Sequence, residues 1–350
     1  MFVKINNCRL CGSKKLINIV DLSSQYIQGS FIKKNLPEPY LKKIPLKLVL
    51  CPKCSLVQLL HTTNKEKLYK NYWYESGINL TMRNHLKELM KSACKTLKIK
   101  KNVKIKVLDI GCNDGTLLNF YPNNFIKFGI DPSQITKKIN KKKIKLIKDF
   151  FPPKKNINFK EKFDLITSIA MFYDLDDPNF FVKKIKYHLK QNGIWIFELS
   201  YLIDMLNLNS FDTICHEHLE YYSIHSLDHL MKKHELKIFK ISKNSINGGS
   251  IRCFVTHNNN FSYDNKINKR LYNKMIKNEK KLKIKQKSIY LLFFKKITKI
   301  KNKLIKIILK IKQQKKKIFI LGASTKGNTI LQFLGIDNKI IPYAIERNKQ

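Results

Sequence analysis

Four cysteines in the amino-terminal part of the chain have the types and spacing of metal ligands. They form two CxxC pairs, Cys8 with Cys11 and Cys51 with Cys54. Four thiolates complete the tetrahedral shell of structural zinc, so we predict an ion that stabilises a small domain and does not activate water. An iron site of similar geometry and four cysteines without a metal are the alternatives.

Carboxylates and glycines alternate in the segment VLDIGCNDGTLL, residues 107–118, which reads as a buried strand, a turn and the start of a helix. Gly111 and Gly115 allow the backbone to approach a ligand closely. Asp109 and Asp114 lie at the carboxyl end of the strand, where open α/β sheets bind ligands. A pyrophosphate would require a glycine-rich turn that presents a helix amino terminus. The segment therefore predicts a site for a cationic ligand without phosphate.

A second strand, Phe125–Ile130, ends at Asp131, about 20 residues after the turn begins, where an acidic side chain can bind ribose hydroxyls. Asp149 and Phe150 are expected near an adenine ring. These features resemble the S-adenosylmethionine site of class I methyltransferases, and a glycine turn in another Rossmann-like domain is the alternative. The resemblance implies that cofactor-binding residues are Asp109, Gly111, Asn113, Asp114, Gly115, Asp131, Asp149 and Phe150.

A third group of chemically active residues is the run His216, Glu217 and His218. Neither a helix nor a strand places three consecutive side chains on one face, and the HExxH spacing of zinc proteases is absent. The run fits a loop that presents a titratable imidazole beside a carboxylate. From composition alone, a catalytic cluster and a structural cluster remain equally open.

The elements that must position these residues alternate between strand and helix from about residue 104 to 199. Apparent strands at 163–168 and 194–198 flank a helical segment at 180–189, so we predict a parallel sheet covered on both faces. The Lys-rich region 266–317 suits one or two long helices with solvated lysines, and a membrane-surface or RNA-binding helix is the alternative. Near the carboxyl end, a strand enters a turn and helix that can offer N–H groups and Lys326 to phosphate oxygens.

The composition excludes several classes of protein. The 350 residues allow two or three domains, and 43% hydrophobic residues argue against disorder. The net charge of +44 comes almost wholly from lysine, whereas nucleic-acid readers favour arginine, so we expect no nucleic-acid partner. The sequence has no signal core and no long apolar run, which predicts a cytoplasmic protein without a membrane partner and with reduced cysteines.

Five motifs taken together resemble the nucleotide-sugar C-methyltransferase family, whose typical members methylate C3 of a 4-keto-deoxysugar. They are the double CxxC, IGCNDGTLL, HEHLEYYS, NGGSIR and GASTKGNT, and the match covers nearly the whole chain. The resemblance implies an α/β enzyme with a class I methyltransferase Rossmann-like sheet. Its expected parts are a zinc-binding domain at 1–65, the methyltransferase domain at 66–262, and a helical linker with a carboxyl-terminal Rossmann-like domain at 263–350, which we expect to be incomplete.

In that family, the resemblance makes His218 the base and Glu217 its neighbour in the motif, with His216 in the same catalytic cluster. Tyr72 or Tyr74, in the YWYESG segment, would face the substrate, although so many aromatics could equally cap a domain interface. Cys215 stands where C3-methylating members often have a tyrosine. Residues assigned to nucleotide-sugar binding by the resemblance are Tyr222, Asn247, Arg252, Ser324, Lys326 and Asn328.

Two further positions differ from the family pattern. Asn247 stands where a histidine often precedes the GGS motif, and Phe172 and Tyr173 stand where some members have a histidine, so the base assignment rests on His218 alone. We therefore predict an S-adenosylmethionine-dependent C-methyltransferase with structural zinc, acting on a nucleotide-linked keto sugar as a monomer or dimer. The alternatives are methylation of oxygen or nitrogen in another small or glycan substrate, and a non-catalytic zinc protein that binds RNA.

Overall fold

The computed structural model describes residues 2–29, 42–69, 72, 74–97, 103–154, 159–263, 266–322 and 324–345. Its strands are β1 Phe2–Lys4, β2 Ile17–Gln25, β3 Ile44–Leu50, β4 Val57–Leu59, β5 His61–Thr63, β6 Ile105–Ile110, β7 Phe125–Ile130, β8 Ile144–Ile147, β9 Phe163–Ile169, β10 Leu189–Ser200, β11 Glu220–Tyr221, β12 Leu236–Asn244, β13 Ser250–His257, β14 Phe319–Leu321 and β15 Tyr343–Ile345. Its α-helices are α1 Lys65–Tyr69, α2 Leu80–Leu97, α3 Thr116–Phe120, α4 Pro178–His188, α5 Leu202–Leu208, α6 Ile224–Lys233, α7 Lys266–Lys281, α8 Lys287–Gln313 and α9 Thr325–Leu334.

The chain forms two compact units. Unit 1 comprises Met1–Asn64, Tyr201–Ser223 and Glu279–Gln350, and unit 2 comprises Lys65–Ser200 and Ile224–Asn278. The predicted boundaries at 65 and 262 therefore differ from the observed grouping at two places. Residues 201–223 join unit 1, where β11 pairs with β4 of the amino-terminal sheet. The part of α7 up to Asn278 joins unit 2.

Unit 2 is built on a mixed sheet of seven strands in the order β12-β13-β10-β9-β6-β7-β8. The strands from β10 to β8 run parallel to one another, and β13 runs antiparallel to both of its neighbours, β10 and β12. The central strands are almost continuously apolar, as expected for strands covered on both faces; Val107, Leu108 and Ile110 of β6 are buried. This strand order confirms the predicted class I methyltransferase fold.

Unit 1 contains a four-stranded antiparallel sheet in the order β11-β4-β3-β2 and two smaller sheets, β1 with β5 and β14 with β15. The helices α8 and α9 pack against β2. The Lys-rich region, predicted to form one or two long helices, forms two, α7 and α8, which are separated near Lys283, a residue with a left-handed φ of 54°. None of the helices in the described part of the chain is both long and apolar enough to span a bilayer.

Candidate functional site

A pocket opens at the carboxyl ends of β6, β7 and β9 in unit 2. Six of the eight predicted cofactor residues contribute to its wall, together with Tyr72, Tyr74 and Asn247. The six are Asp109, Gly111, Asn113, Asp131, Asp149 and Phe150. They come from separate strand ends, and the parallel register of the sheet brings those ends to one edge.

Hydrogen bonds from backbone N–H groups hold the turn after β6, and the turn itself leaves little space for side chains. Gly111 has a φ of 73°, and an added Cβ there would lie 3.1 Å from Met171 Cγ. The Asn113 N–H donates to Asp131 Oδ2 at 2.9 Å, and Ser133 N–H donates to Asp131 Oδ1 at 2.8 Å. Asp131 therefore ties the first turn to the end of the second strand while it forms part of the pocket wall.

Asp109 is a deeply buried carboxyl group in this wall, since it lies inside β6 at 4% exposure. Thr167 Oγ1 donates to its Oδ1 at 2.6 Å. Burial raises the pKa of Asp109 to about 7, the Thr167 bond opposes the rise, and the nearby Asp131 and Asp114 charges add to it. A cationic ligand would favour its ionised form.

Asp114 and Gly115, the other two predicted cofactor residues, are not among the residues that line the pocket. Asp114 Oδ1 accepts from Thr116 N at 3.0 Å, in the first turn of α3, and Oδ2 accepts from Gly77 N at 2.7 Å. Gly115 has a φ of 77° and packs where an added Cβ would lie 3.1 Å from Ile139. The structure therefore gives both residues contacts that support the turn.

The aromatic segment before α2 contributes to the same pocket through Tyr69, Tyr72 and Tyr74. Asn113 fastens it, because its Nδ2 donates to the Tyr74 carbonyl at 2.8 Å and its Oδ1 accepts from Ser76 N at 2.9 Å. Burial raises the pKa of Tyr74, and the charge of Asp114 adds to that rise. Trp73 lies outside the described residues. These contacts favour a ligand-facing role over a simple interface cap.

Glu198 is a pocket residue that we did not predict. It interrupts the apolar run of β10, it is 3% exposed, and it lines the pocket. His85 Nε2 lies 2.5 Å from its Oε1, and Arg252 Nε donates to its Oε2 at 2.9 Å. Glu198 could have been predicted from the same pattern that identified Asp109, namely a carboxylate at the carboxyl end of a buried parallel strand.

The buried side chain of Arg252, which was predicted to bind substrate, pairs with two carboxylates, the buried Glu198 and the exposed Glu88. Its Nη1 lies 2.9 Å from Glu88 Oε2, in addition to the bond from Nε to Glu198. Arg252 is 3% exposed and is not among the residues that line the pocket. Its neighbour in the same motif, Asn247, does line the pocket.

We call residues 213–223 of unit 1 the motif loop, because they contain the His216, Glu217 and His218 run. His216 is fully buried; its Nδ1 lies 2.8 Å from Gln28 Oε1 and its Nε2 lies 3.1 Å from the Ile44 carbonyl. Burial lowers the pKa of His216 to about 4, so the ring is neutral near pH 7. These contacts suit a residue that anchors the loop.

His218 is half-buried, and its Nδ1 lies 2.8 Å from the Thr213 carbonyl. Because a carbonyl oxygen can only accept, Nδ1 carries the proton, and Nε2 of the neutral ring keeps the lone pair that can take up a proton. Burial raises the pKa of the neighbouring Glu217, and His218 opposes the rise. The Glu217 carboxylate lies against Gly29 and occupies the space that a Cβ atom at residue 29 would need.

The remaining residues assigned to substrate binding lie in unit 1. Tyr222 is fully buried. Ser324 Oγ caps α9 by accepting from Gly327 N at 3.1 Å, and Asn328 Nδ2 donates to the Gln28 carbonyl at 2.7 Å. Lys326 lies in the first turn of α9. Cys215 is buried, and burial raises the pKa of its thiol.

The four predicted metal ligands come together in unit 1. The Sγ atoms of Cys8, Cys11, Cys51 and Cys54 lie within 4.8 Å of one another, and both the Cys8–Cys54 and Cys11–Cys51 pairs are 3.5 Å apart. Tetrahedral zinc with Zn–S bonds of about 2.3 Å requires sulfur atoms about 3.8 Å apart. The cluster therefore fits a four-coordinate zinc ion with no open position.

Comparisons with known families and proteins cover nearly the whole chain. Residues 8–69 match a zinc binding domain, residues 82–241 match a methyltransferase domain, and residues 245–350 match the C-methyltransferase C-terminal domain. The chain is also similar to the C-methyltransferase NovU of Streptomyces niveus, with 22% identity over 97% of this chain and 80% of that protein.

Solved structures give weaker likenesses. A S-adenosylmethionine-dependent methyltransferase from Clostridium acetobutylicum has 17% identity and a TM-score of 0.40 over 50% of this chain and 92% of its own. The plantazolicin methyltransferase BpumL has 13% identity and a TM-score of 0.39 over 50% of this chain and 84% of its own. Such TM-scores are too low to establish a common fold, so the fold assignment rests on the strand order and the family models. On that basis the chain belongs to the C-methyltransferases, S-adenosylmethionine-dependent enzymes with an amino-terminal zinc-binding domain.

Proposed function

We propose that this C-methyltransferase methylates a carbon next to the ketone of a nucleotide-linked keto-deoxysugar. The observation that carries the proposal is the hydrogen bond from His218 to the Thr213 carbonyl, which keeps the lone pair on Nε2. A carbon next to a ketone becomes nucleophilic only when a base removes its proton. An imidazole held in this tautomer is suited to that step.

The proposed reaction conserves atoms and charge. His218 Nε2 takes the proton, and the electron pair of the broken C–H bond enters the enolate. The bound S-adenosylmethionine supplies an electrophilic methyl group. With S-adenosylmethionine held by Asp109, Asp131 and Asp149, its methyl group would pass to the enolate carbon and its sulfur would leave as a neutral thioether. The proton stays on the His218 imidazole until solvent removes it.

Each part of the chain has an assigned role in this proposal. The carboxylates Asp109, Asp131 and Asp149 suit a cofactor that carries a sulfonium, an amino group and ribose hydroxyls. Tyr72, Tyr74 and Asn247 line the same pocket and are assigned to the substrate side. Glu217 orients His218, and His216 anchors the motif loop. The resemblance to NovU, a C-methyltransferase by name, supports methylation of carbon.

The test is deuterium exchange at the sugar carbon, followed by NMR in D₂O with a dTDP-4-keto-6-deoxysugar and S-adenosylhomocysteine. Exchange needs the base but no methyl donor, so the wild type should exchange the proton and His218→Ala should slow exchange at least 100-fold. His225→Ala, a histidine outside the pocket and the motif loop, is the matched control. Methyl transfer without carbon exchange would overturn the proposal in favour of oxygen or nitrogen methylation.

A further inference from the structure

Arg9 connects the zinc cluster to the motif loop. It lies between two metal ligands, Cys8 and Cys11, and its side chain is 3% exposed. Its guanidinium donates from Nη1 to the Leu59 carbonyl at 2.8 Å and from Nη2 to Thr62 Oγ1 at 2.7 Å. The cluster and these bonds together fix the guanidinium within unit 1.

The motif loop ends in β11, which pairs antiparallel with β4, the strand that follows the second CxxC pair. In this pairing, Glu220 lies opposite Gln58 and Tyr221 lies opposite Val57, and Leu59 N donates to the Leu219 carbonyl at 2.9 Å. The Glu220 side chain is 0% exposed and lies 3.6 Å from Arg9 Nε. A fully buried carboxylate needs such a partner, because an unpaired buried charge is costly.

The other end of the loop is anchored by the same part of the chain. His216 contacts Gln28 and the Ile44 carbonyl, which belong to the segment between the two CxxC pairs. His218 therefore lies between two anchors, His216 and Glu220, each two residues away. Whatever fixes both anchors also fixes the imidazole.

We propose that Arg9 is a positioning residue for His218. The metal cluster holds Arg9, Arg9 holds Glu220 by ion pairing, and Glu220 holds the carboxyl end of the motif loop. The zinc-binding domain thereby contributes to the reaction through the order of the motif loop. The catalytic part of this inference rests on the proposed role of His218, whereas the order of the loop can be measured without it.

The experiment compares Arg9→Met, Arg9→Lys and the double variant Arg9→Met with Glu220→Met in the full chain. Lys14→Met, an exposed cation just after the first CxxC pair, is the matched control. For each protein we would measure zinc content, hydrogen exchange of residues 213–223 by mass spectrometry, affinity for S-adenosylhomocysteine, and kcat and KM for sugar deuteration.

Arg9→Met should leave zinc content and S-adenosylhomocysteine affinity within twofold of the wild type, and raise amide exchange in the loop at least tenfold. It should lower kcat for deuteration at least tenfold with little change in KM. Arg9→Lys should recover part of the loss, and the double variant should recover loop protection, because no charge is then left unpaired.

Unchanged loop exchange in a zinc-loaded Arg9→Met protein would overturn the inference, as would an equal rise for Lys14→Met. Glu220→Gln provides a second variant if Arg9→Met fails to fold, and it should loosen the same loop while the guanidinium stays in place. If the wild type deuterates no sugar, the proposed function fails on its own account, and the hydrogen-exchange comparison still decides whether Arg9 orders the loop.

Discussion

Asp109 changes its charge within the pH range in which the enzyme would be assayed, because burial raises its pKa to about 7. Below that pH the carboxyl is mostly protonated and neutral, and above it the group is ionised. Because folding raises this pKa above its usual value, protonation of Asp109 stabilises the free protein, and this contribution is lost as the pH rises through about 7. A cation bound beside Asp109 favours the ionised carboxylate over the protonated one.

We therefore predict that the affinity for S-adenosylhomocysteine increases between pH 5.5 and pH 7.5, by up to about 25-fold if binding requires the ionised Asp109 carboxylate. Asp109→Asn cannot ionise, so this part of the pH dependence should disappear in the variant. Calorimetric titration of both proteins across this pH range gives the difference between their affinities. Protonation of the ligand affects both proteins equally and cancels in this difference. Identical pH dependence in the two proteins would contradict the assignment.

Three elements of unit 2 meet at one charge cluster around the buried Arg252 of β13, in which α2 supplies His85 and the exposed Glu88, and β10 supplies the buried Glu198. Glu198 lines the pocket. The guanidinium therefore determines how a pocket carboxylate is held, although it does not itself line the pocket.

Removing only the cation from this cluster should be costly, because Glu198 then stays buried with only His85 beside it. We expect Arg252→Met to lower the free energy of unfolding by about 3–5 kcal/mol, and Arg252→Met combined with Glu198→Met to cost less than that. Urea unfolding in the presence of zinc measures both, and Arg83→Met on the same helix as His85 is the control. A double variant less stable than the single one would show that the ion pair is not the cause.

Much of this architecture follows from local signals. The bounds of β7 agree with the prediction, since apolar patterns and turn residues act over short stretches. The six pocket residues were predictable because carboxyl ends of neighbouring parallel strands share an edge. Two long-range contacts were not predictable, namely the bond between Asp114 and Gly77 and the pairing of β11 with β4. Each joins two segments that have no sequence pattern in common. The burial of Arg252 was missed for the same reason.

At the scale of the whole molecule, the pocket and the metal cluster belong to different compact units. All the residues that line the pocket lie in unit 2, and the four cysteines and the motif loop lie in unit 1. Binding of S-adenosylhomocysteine and order in the motif loop should therefore respond differently to loss of the metal.

We predict that a chelator which removes zinc leaves the affinity for S-adenosylhomocysteine within about threefold and abolishes deuteration of the sugar. The physical reason is that structural zinc contributes directly to the folding free energy of the unit that holds it. Calorimetry before and after chelation, with readdition of zinc as the control, measures the first effect, and NMR measures the second. If chelation abolished both S-adenosylhomocysteine binding and sugar deuteration, the separation of the two functions between the units would be contradicted.

The pairing of β11 with β4 also has a consequence for biosynthesis. The amino-terminal sheet takes its edge strand from Glu220–Tyr221, whereas its other strands end by Leu59. On the ribosome, the cysteines therefore emerge long before the strand and the carboxylate that complete their surroundings. Closing so long a loop carries an entropic cost that local contacts do not offset until the intervening chain has folded. The nascent chain must accordingly hold an unfinished sheet edge during synthesis of the methyltransferase core, and the amino-terminal domain, made first, is completed late.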